Sequence, residues 1–205
     1  MSKPILFGVD GSPPTRFCLL TAKALNLDIE YRLVNMAGGE HRSEEFLKRI
    51  HSTQSLHAIC TYLIQTYGSD KDQELYPTEL FSRALVDQKL YFDAGVVFPK
   101  LRSIFLCVFN PAGPTKIPKE LLTAIYEAYD FLEVFLSRTK YIAGDNFTVA
   151  DLCCIATVSS AEFVPIDATK YPSLSDWVNR MKALPYYEIN DKGAQELIAL
   201  TEKLI

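Results

Sequence analysis

The chain has 205 residues, of which 48% are hydrophobic and 22% are charged, so its composition is that of a soluble globular protein. Its net charge is −4 and its lysines and arginines are scattered, which argues against nucleic acid or an acidic membrane as a partner. The longest apolar run, residues 104–109, is far too short to span a bilayer, and no signal-peptide pattern follows the first lysine.

The first third of the chain alternates between strand and helix patterns. PILFGV is an apolar run typical of a buried strand, TRFCLLTAKALN has helical spacing and ends at Asn26, and IEYRLVN alternates like a second strand. Strand, helix and strand in this order predict a βαβ unit with parallel strands. Ser43 is expected to cap a short helix, and a further helix runs from His57 to Gly68, with no β-type run between the two.

After the polar stretch 68–77, which we interpret as a domain linker, only helical patterns remain. They cover residues 78–109, 118–137, 149–162, 173–184 and 193–204. Pro99 lies inside the first of them, where its ring should press on the carbonyl of Gly95 and kink the helix. The sequence thus predicts an α/β domain over residues 1–70 and an all-α domain over residues 78–205.

The cysteines indicate a reducing compartment. There are five, an odd number, with no C-x-x-C pair and no histidine at metal-ligand spacing. Four of them lie within apolar helical patterns, which favours buried free thiols. We therefore expect a cytoplasmic protein without a metal site. The cysteines are Cys18, Cys60, Cys107, Cys153 and Cys154.

Two short stretches are more specific. GSPPTRFC puts Ser12 in the loop after the first strand, directly before a helix that opens with prolines. YIAGDNFTVADL puts Thr148 at a helix N-cap with Asp151 three residues later, which is the pattern of a capping box. We expect the Asp151 carboxylate to bind backbone amides at a buried helix start, so its role is in folding rather than in chemistry.

With these residues in view, the chain resembles the cytosolic glutathione S-transferases, and most closely their insect Epsilon class. The resemblance depends on the order and spacing of several motifs between Lys3 and Leu200. They are SPP after the first strand, LTAKAL, GEH, HAI-x-x-YL, F-x-AGVVF-x-x-LRSIF, IAGD-x-x-T-x-AD and W-x-x-R-x-x-x-LPYYE. The resemblance implies a thioredoxin-like N-terminal domain, an all-α C-terminal domain and a homodimer.

The resemblance also implies roles for single residues. Ser12 matches the catalytic serine, although by itself it could equally be a helix cap. His41 matches a histidine that reaches the glycine end of glutathione. By itself it could be a solvated turn residue. Arg102 matches an arginine at the mouth of the electrophile pocket, where it can contact glutathione or the electrophile. By itself it could be an ordinary surface charge. His57 and Ser55 are also assigned to glutathione, although Ser55 is one residue out of register with the family's serine. Phe98, Leu101 and Phe105 are assigned to the pocket wall and would otherwise be ordinary core.

The interval before HAI is shorter than the family pattern by about a dozen residues, the length of two short strands. The missing part includes a strand pair and a proline dipeptide whose backbone holds the cysteinyl unit of glutathione. The resemblance therefore implies a truncated sheet and weakened glutathione binding. Two explanations stay open: the protein lacks the segment, or the sequence is incomplete around residues 49–56. Whether His51 replaces a family histidine stays open as well.

The implied function is the transfer of glutathione, a co-substrate, to hydrophobic electrophiles, as in detoxification. The thiol of glutathione has an ordinary pKa above neutrality. A serine hydroxyl that donates to the sulfur near a helix N-terminus stabilises the thiolate. The alternative is a non-catalytic protein of the same fold that binds hydrophobic ligands or acts as a dimeric scaffold.

Overall fold

The N-terminal part of the protein is a strand–helix–strand unit. The computed structural model describes residues 3–36, 38–49, 56–110 and 112–202. β1 (Ile5–Gly8) and β2 (Glu30–Leu33) lie parallel, and their register pairs Ile5 with Glu30. α1 (Pro13–Ala24) connects them. Within the described residues the sheet has these two strands, so the predicted βαβ unit and truncated sheet are confirmed there.

Local sequence determines both ends of α1. Pro13 and Pro14 occupy its first turn, where a missing N–H is tolerated and the fixed φ is already helical. After the helix the chain turns through Asn26, which has a φ of 49°. The Leu27 N–H then donates to the Ala22 carbonyl at 2.8 Å, which closes the helix end. The predicted stop at Asn26 is confirmed, because asparagine adopts the left-handed conformation readily.

Two further α-helices follow β2 among the described residues of the N-terminal part. α2 (Glu44–Arg49) follows Ser43, whose Oγ accepts a hydrogen bond from the Phe46 N–H at 3.1 Å, as expected of its cap. α3 (Leu56–Tyr67) comes next. Residues 50–55, between these helices, lie outside the described residues.

The C-terminal part is built of helices, as predicted. The stretch interpreted as a linker contains a 3-10 turn (Asp72–Leu75), whose last residue is buried. The helices are α4 (Leu80–Phe92), α5 (Phe98–Val108), α6 (Lys119–Leu136), α7 (Val149–Val158), α8 (Pro172–Lys182) and α9 (Glu188–Thr201), with a 3-10 turn (Ser159–Ala161) after α7. The domain division at residues 1–70 and 78–205 stays a prediction.

The first long helical pattern is interrupted before Pro99. Between α4 and α5 the chain forms a π-helical segment (Asp93–Val97), and the Phe98 N–H donates to the Asp93 carbonyl. Pro99 lies in the first turn of α5, where its missing N–H needs no intrahelical acceptor. The disturbance predicted at Gly95 and Pro99 is therefore a π-helical turn that separates two helices.

The last helix begins earlier than the pattern indicates. α9 starts at Glu188 rather than at residue 193, so the predicted start is wrong and Gly193 lies inside the helix. Glycine is a poor helix former, but here it packs against the loop that follows β1, where a larger residue has no room. Tertiary packing overrides the local preference.

α7 forms the centre of the core. All ten of its residues are buried, and it packs against α1 and α3 of the N-terminal part and against α4 and α8. A helix covered on every side has no need of a polar face. Among the described residues, no helix combines the length and the apolar character needed to cross a membrane.

Candidate functional site

Ser12 lies where the chain passes from β1 to α1. It is the N-cap residue, with a φ of −74° and a ψ of 118°, and its N–H donates to the Val9 carbonyl at 2.9 Å. An N-cap side chain ordinarily accepts a hydrogen bond from the second or third residue of its helix. Here Pro14 is the second residue and has no N–H. The Ser12 side chain makes no capping hydrogen bond, so α1 does not use this hydroxyl as its cap.

The N-terminus of α1 is a favourable place for an anion. Unpaired N–H groups give a helix start a partial positive charge. The first turn of α1 contains no acidic residue that would offset this charge. A thiolate or carboxylate beside Ser12 would therefore be stabilised.

Hydrogen bonds hold the loop that carries Ser12. The Val9 N–H donates to Thr15 Oγ1 at 3.3 Å, and the Tyr31 hydroxyl donates to Asp10 Oδ1 at 2.7 Å. Burial raises the pKa of Tyr31 above its ordinary value, and the bond to Asp10 adds to the rise. Tyr31 therefore remains a donor throughout the physiological pH range, and the backbone before Ser12 is fixed from two sides.

A buried arginine, which sequence reasoning missed, joins α1 to the C-terminal part. Arg16 is 0% exposed, and its guanidinium donates to the side chains of Ser159, Ser160 and Asn190. The distance from Nη1 to the Asn190 Oδ1 is 2.5 Å. Burial lowers the pKa of Arg16 to about 10. A sequence signal existed, because Arg16 lies one turn before Leu20 on the face that α1 buries.

His41, predicted to bind glutathione, lies in a 3-10 turn (Glu40–Arg42) after β2. Its Nε2 accepts a hydrogen bond from Arg42 Nε at 3.1 Å. Its Nδ1 is buried and has no hydrogen-bond partner among the described residues, so this nitrogen is neither paired there nor exposed. Ser55, another predicted glutathione residue, lies outside the described residues, and so does His51.

His57 lies in the first turn of α3 and links the N-terminal part to the helical part. Its ring centre is 5.7 Å from that of Phe17, and its Nε2 is 3.5 Å from Oδ2 of Asp93. The Cys153 thiol donates to the same Oδ2 at 3.3 Å. These three ligand-type atoms lie within 4.8 Å of one another. The expectation of no metal site depended on local spacing, which cannot reveal residues that come together from three separate elements.

α5 divides the predicted pocket residues between two faces. Phe98 and Phe105 are half-buried and Arg102 is exposed, and their spacing puts them on one side of the helix. Leu101 is 0% exposed and packs in the core, as does Ile104. The assignment of Leu101 to the pocket wall is corrected, because a side chain without accessible surface does not line an open groove.

Thr148 and Asp151 form the predicted capping box at the start of α7. Oδ2 of the buried Asp151 accepts from the Thr148 N–H at 2.9 Å. Oδ1 accepts from the Ile142 N–H at 3.0 Å and from Trp177 Nε1 at 2.9 Å. Burial raises the pKa of Asp151, and these hydrogen bonds oppose the rise. The carboxylate organises a helix start rather than a reaction.

The cysteines are free thiols, and four of the five are buried, as predicted. Burial raises the pKa of Cys60, Cys153 and Cys154 above the ordinary value. The Sγ atoms of Cys18 and Cys60 are 3.4 Å apart. None of these thiols occupies the helix start at which Ser12 lies.

Known proteins match this chain over most of its length. Residues 99–185 match the family model described as glutathione S-transferase, C-terminal domain. Glutathione S-transferase 1 of Manduca sexta is 40% identical over 208 residues, which cover 94% of each chain.

Two solved structures share both the fold and much of the sequence. A glutathione transferase homologue of Drosophila mojavensis, solved with bound glutathione, has a TM-score of 0.92 and 44% identity, and the match covers 100% of this chain and 98% of that one. An epsilon-class glutathione S-transferase of the housefly, Musca domestica, has a TM-score of 0.91 and 43% identity over 97% of each chain. This protein therefore belongs to the glutathione S-transferase family and, within it, to the insect Epsilon class.

Proposed function

We propose that this protein is a glutathione transferase that joins the sulfur of glutathione to hydrophobic electrophiles, with Ser12 as its catalytic serine. The observation that carries this proposal is the Ser12 hydroxyl, which makes no capping bond although it lies at the N-terminus of α1. The names of the relatives, and the glutathione bound in one of their structures, support the choice of co-substrate.

The chemistry follows from the position of that hydroxyl. It donates a hydrogen bond to the glutathione sulfur, while the partial positive charge of the helix start acts on the same atom. Both effects favour the thiolate, which is the nucleophile. The thiol proton passes to solvent, the thiolate forms a carbon–sulfur bond with the electrophile, and any leaving group departs with its electron pair.

Four further residues are proposed to bind glutathione: His41, Ser55, His57 and Arg102. His41, in the turn after β2, is proposed to bind the carboxylate at the glycine end of the tripeptide. His57 lies in the first turn of α3, whose N-terminal N–H groups suit the γ-glutamyl carboxylate. Ser55 precedes that helix in the sequence and is proposed to bind the same group.

The electrophile is proposed to lie along the exposed face of α5. Phe98 and Phe105 supply apolar surface, and Arg102 supplies a positive charge at the mouth. Such a site suits flat or flexible apolar molecules with one electron-poor centre. The free thiols fit a reducing compartment, so we propose detoxification in the cytoplasm as the setting.

A homodimer through α4 is part of this proposal. Large apolar side chains on α4 are exposed: Leu80 is 81% exposed, Phe81 71% and Tyr91 78%. Clustered exposed apolar surface marks an interaction site, and a two-fold arrangement lets one surface cover its copy. Sedimentation at micromolar concentration should give twice the chain mass of 23.1 kDa. The Phe81→Glu variant should sediment with the mass of one chain. A native protein that sediments as a monomer would contradict the proposal.

The catalytic assignment is tested by changing Ser12. Ser12→Ala removes the hydrogen-bond donor to the sulfur. It should lower the conjugation rate with 1-chloro-2,4-dinitrobenzene by about tenfold to a thousandfold, because the loss of one donor to a developing anion has an effect of this size in other enzymes. Ser12→Thr keeps a hydroxyl and is the matched control. Unchanged turnover of the alanine variant would exclude Ser12 as the catalytic residue. No turnover by the native protein, with retained binding of apolar ligands, would favour the non-catalytic alternative.

Affinity for glutathione is a separate test. Each neutral hydrogen bond contributes about 0.5–1.5 kcal/mol and each charged one about 1.5–3 kcal/mol. Loss of two of the first kind and one of the second, as the shortened interval implies, weakens binding by about a hundredfold to ten-thousandfold. We expect a dissociation constant above about 1 mM by isothermal titration. Micromolar binding would mean that residues 49–56 restore the lost contacts.

A further inference from the structure

Three metal-ligating side chains meet between the N-terminal part and the helical part. They are His57 in the first turn of α3, Asp93 at the start of the π-helical segment and Cys153 in α7. Nε2 of the histidine is 3.5 Å from the carboxylate Oδ2, and the thiol Sγ is 3.3 Å from the same oxygen. We propose that these three side chains bind a Zn²⁺ ion. This proposal does not depend on the transferase function.

The distances suit a tetrahedral ion. Zinc bonds of about 2.0–2.3 Å at tetrahedral angles put neighbouring ligand atoms about 3.3–3.8 Å apart. Two of the separations in the cluster fall within that range. The third, between the histidine nitrogen and the sulfur, is at most 4.8 Å. Binding would therefore require the His57 ring to move closer to the sulfur.

The donor set favours zinc over other common divalent ions. Calcium and magnesium prefer oxygen ligands alone, whereas a thiolate, an imidazole and a carboxylate together suit zinc. Three protein ligands leave a fourth position for water. The most exposed of the three side chains is that of His57, at 31%.

The cluster has hydrogen-bonding capacity that the described residues do not use. Asp93 is 3% exposed, and its Oδ1 has no hydrogen-bond partner in this part of the chain. Nε2 of His57 has none there either. Among the described residues, His57 is the only potentially cationic side chain within 4.0 Å of the Asp93 carboxylate, at 3.5 Å. A buried carboxylate without a well-bonded cation is costly, and a divalent ion at this point would engage both side chains.

The test uses the full chain, stripped of metal with a chelator, and ZnCl₂ as the probe. We expect one zinc ion per chain by isothermal titration. At a free zinc concentration about a hundredfold above the dissociation constant, the Tm should rise by about 5–10 °C. Co²⁺, as a spectroscopic substitute, should give a thiolate-to-metal absorption band, because Cys153 is one of the ligands.

Variants assign the binding to these residues. His57→Gln, Asp93→Asn and Cys153→Ser should each weaken zinc binding by more than about tenfold, and the last should remove the cobalt–thiolate band. His57→Gln alters a half-exposed side chain and so remains informative if a buried variant fails to fold. Two variants are controls: Cys154→Ser, an equally buried thiol on the same helix, and His41→Gln. Both should bind zinc as the native chain does. Absence of zinc binding by the native chain, or equal binding by all variants, would overturn the proposal.

Discussion

Gly193, in α9, lies directly against the backbone carbonyl of Asp10. A Cβ atom built on Gly193 would stand 2.0 Å from the Asp10 oxygen and 2.7 Å from Cδ of Arg16. No side chain fits at such a distance, so glycine at this position lets α9 approach the loop two residues before Ser12. The last helix of the chain thus supports the loop that carries the proposed catalytic serine.

Gly193→Ala should destabilise the protein and lower its conjugation rate. Overpacking costs about 1–3 kcal/mol, and the higher helix propensity of alanine returns up to about 1 kcal/mol. We therefore expect a net loss of about 1–2 kcal/mol in the free energy of unfolding, measured with urea. Gly95→Ala is the matched control, because a Cβ at Gly95 meets no atom within 4 Å. Equal stability of the two variants would show that α9 does not press on the loop.

Arg16→Met should weaken the connection between α1 and the C-terminal part. The change leaves the Asn190 and Ser160 acceptors without their donor, and hydrogen bonds from a charged group contribute about 1.5–3 kcal/mol each. We expect a loss of about 3–5 kcal/mol in the free energy of unfolding. Arg32→Met, at an exposed ion pair on β2, should stay within about 0.5 kcal/mol of the native protein. A similarly small effect at Arg16 would disprove its structural role.

Asp151→Ala should be strongly destabilising. It leaves three buried donors, on Ile142, Thr148 and Trp177, without their acceptor. Each unsatisfied donor costs about 1–3 kcal/mol, so the three together predict a loss of about 3–9 kcal/mol in urea unfolding. Asp145→Ala, which changes an exposed carboxylate in the same loop, is the control. The prediction fails if both variants unfold at the same urea concentration.

Tyr129 should make stability fall at alkaline pH. Its hydroxyl donates to the Ala161 and Val164 carbonyls, and burial raises its pKa above the ordinary value of 10.0. The folded state thus keeps a proton that the unfolded state releases. The contribution to stability is complete below pH 10 and is lost as the pH rises through the folded pKa, by about 1.4 kcal/mol per pH unit.

Tyr129→Phe removes this titration. The free energy of unfolding is measured with urea at several pH values above 10. It should fall less steeply with pH in the variant than in the native protein, and the difference in slope should correspond to at most one proton released on unfolding. Tyr126→Phe, at a partly exposed tyrosine on the same helix, is the control for loss of a hydroxyl. Equal slopes for the native protein and the Tyr129 variant would contradict the prediction.

The sequence by itself determined the features whose causes are local. The prolines at 13 and 14 start α1, and Asn26 ends it, because fixed φ and the left-handed conformation are properties of single residues. The capping box at Thr148 and Asp151 needs groups only three residues apart. The order and spacing of such local motifs were also sufficient to predict the family.

Tertiary structure alone decided which distant side chains meet and which faces are covered. Leu101 and Arg102 are neighbours in sequence, but a helix turns about 100° per residue, so one enters the core and the other faces solvent. α9 starts at Glu188 and brings Gly193, inside the helix, against a loop near the other end of the chain. The cluster of His57, Asp93 and Cys153, like the partners of Arg16, comes from separate elements. No local pattern records such contacts, because packing of the whole chain, rather than the preference of any segment, sets their distances.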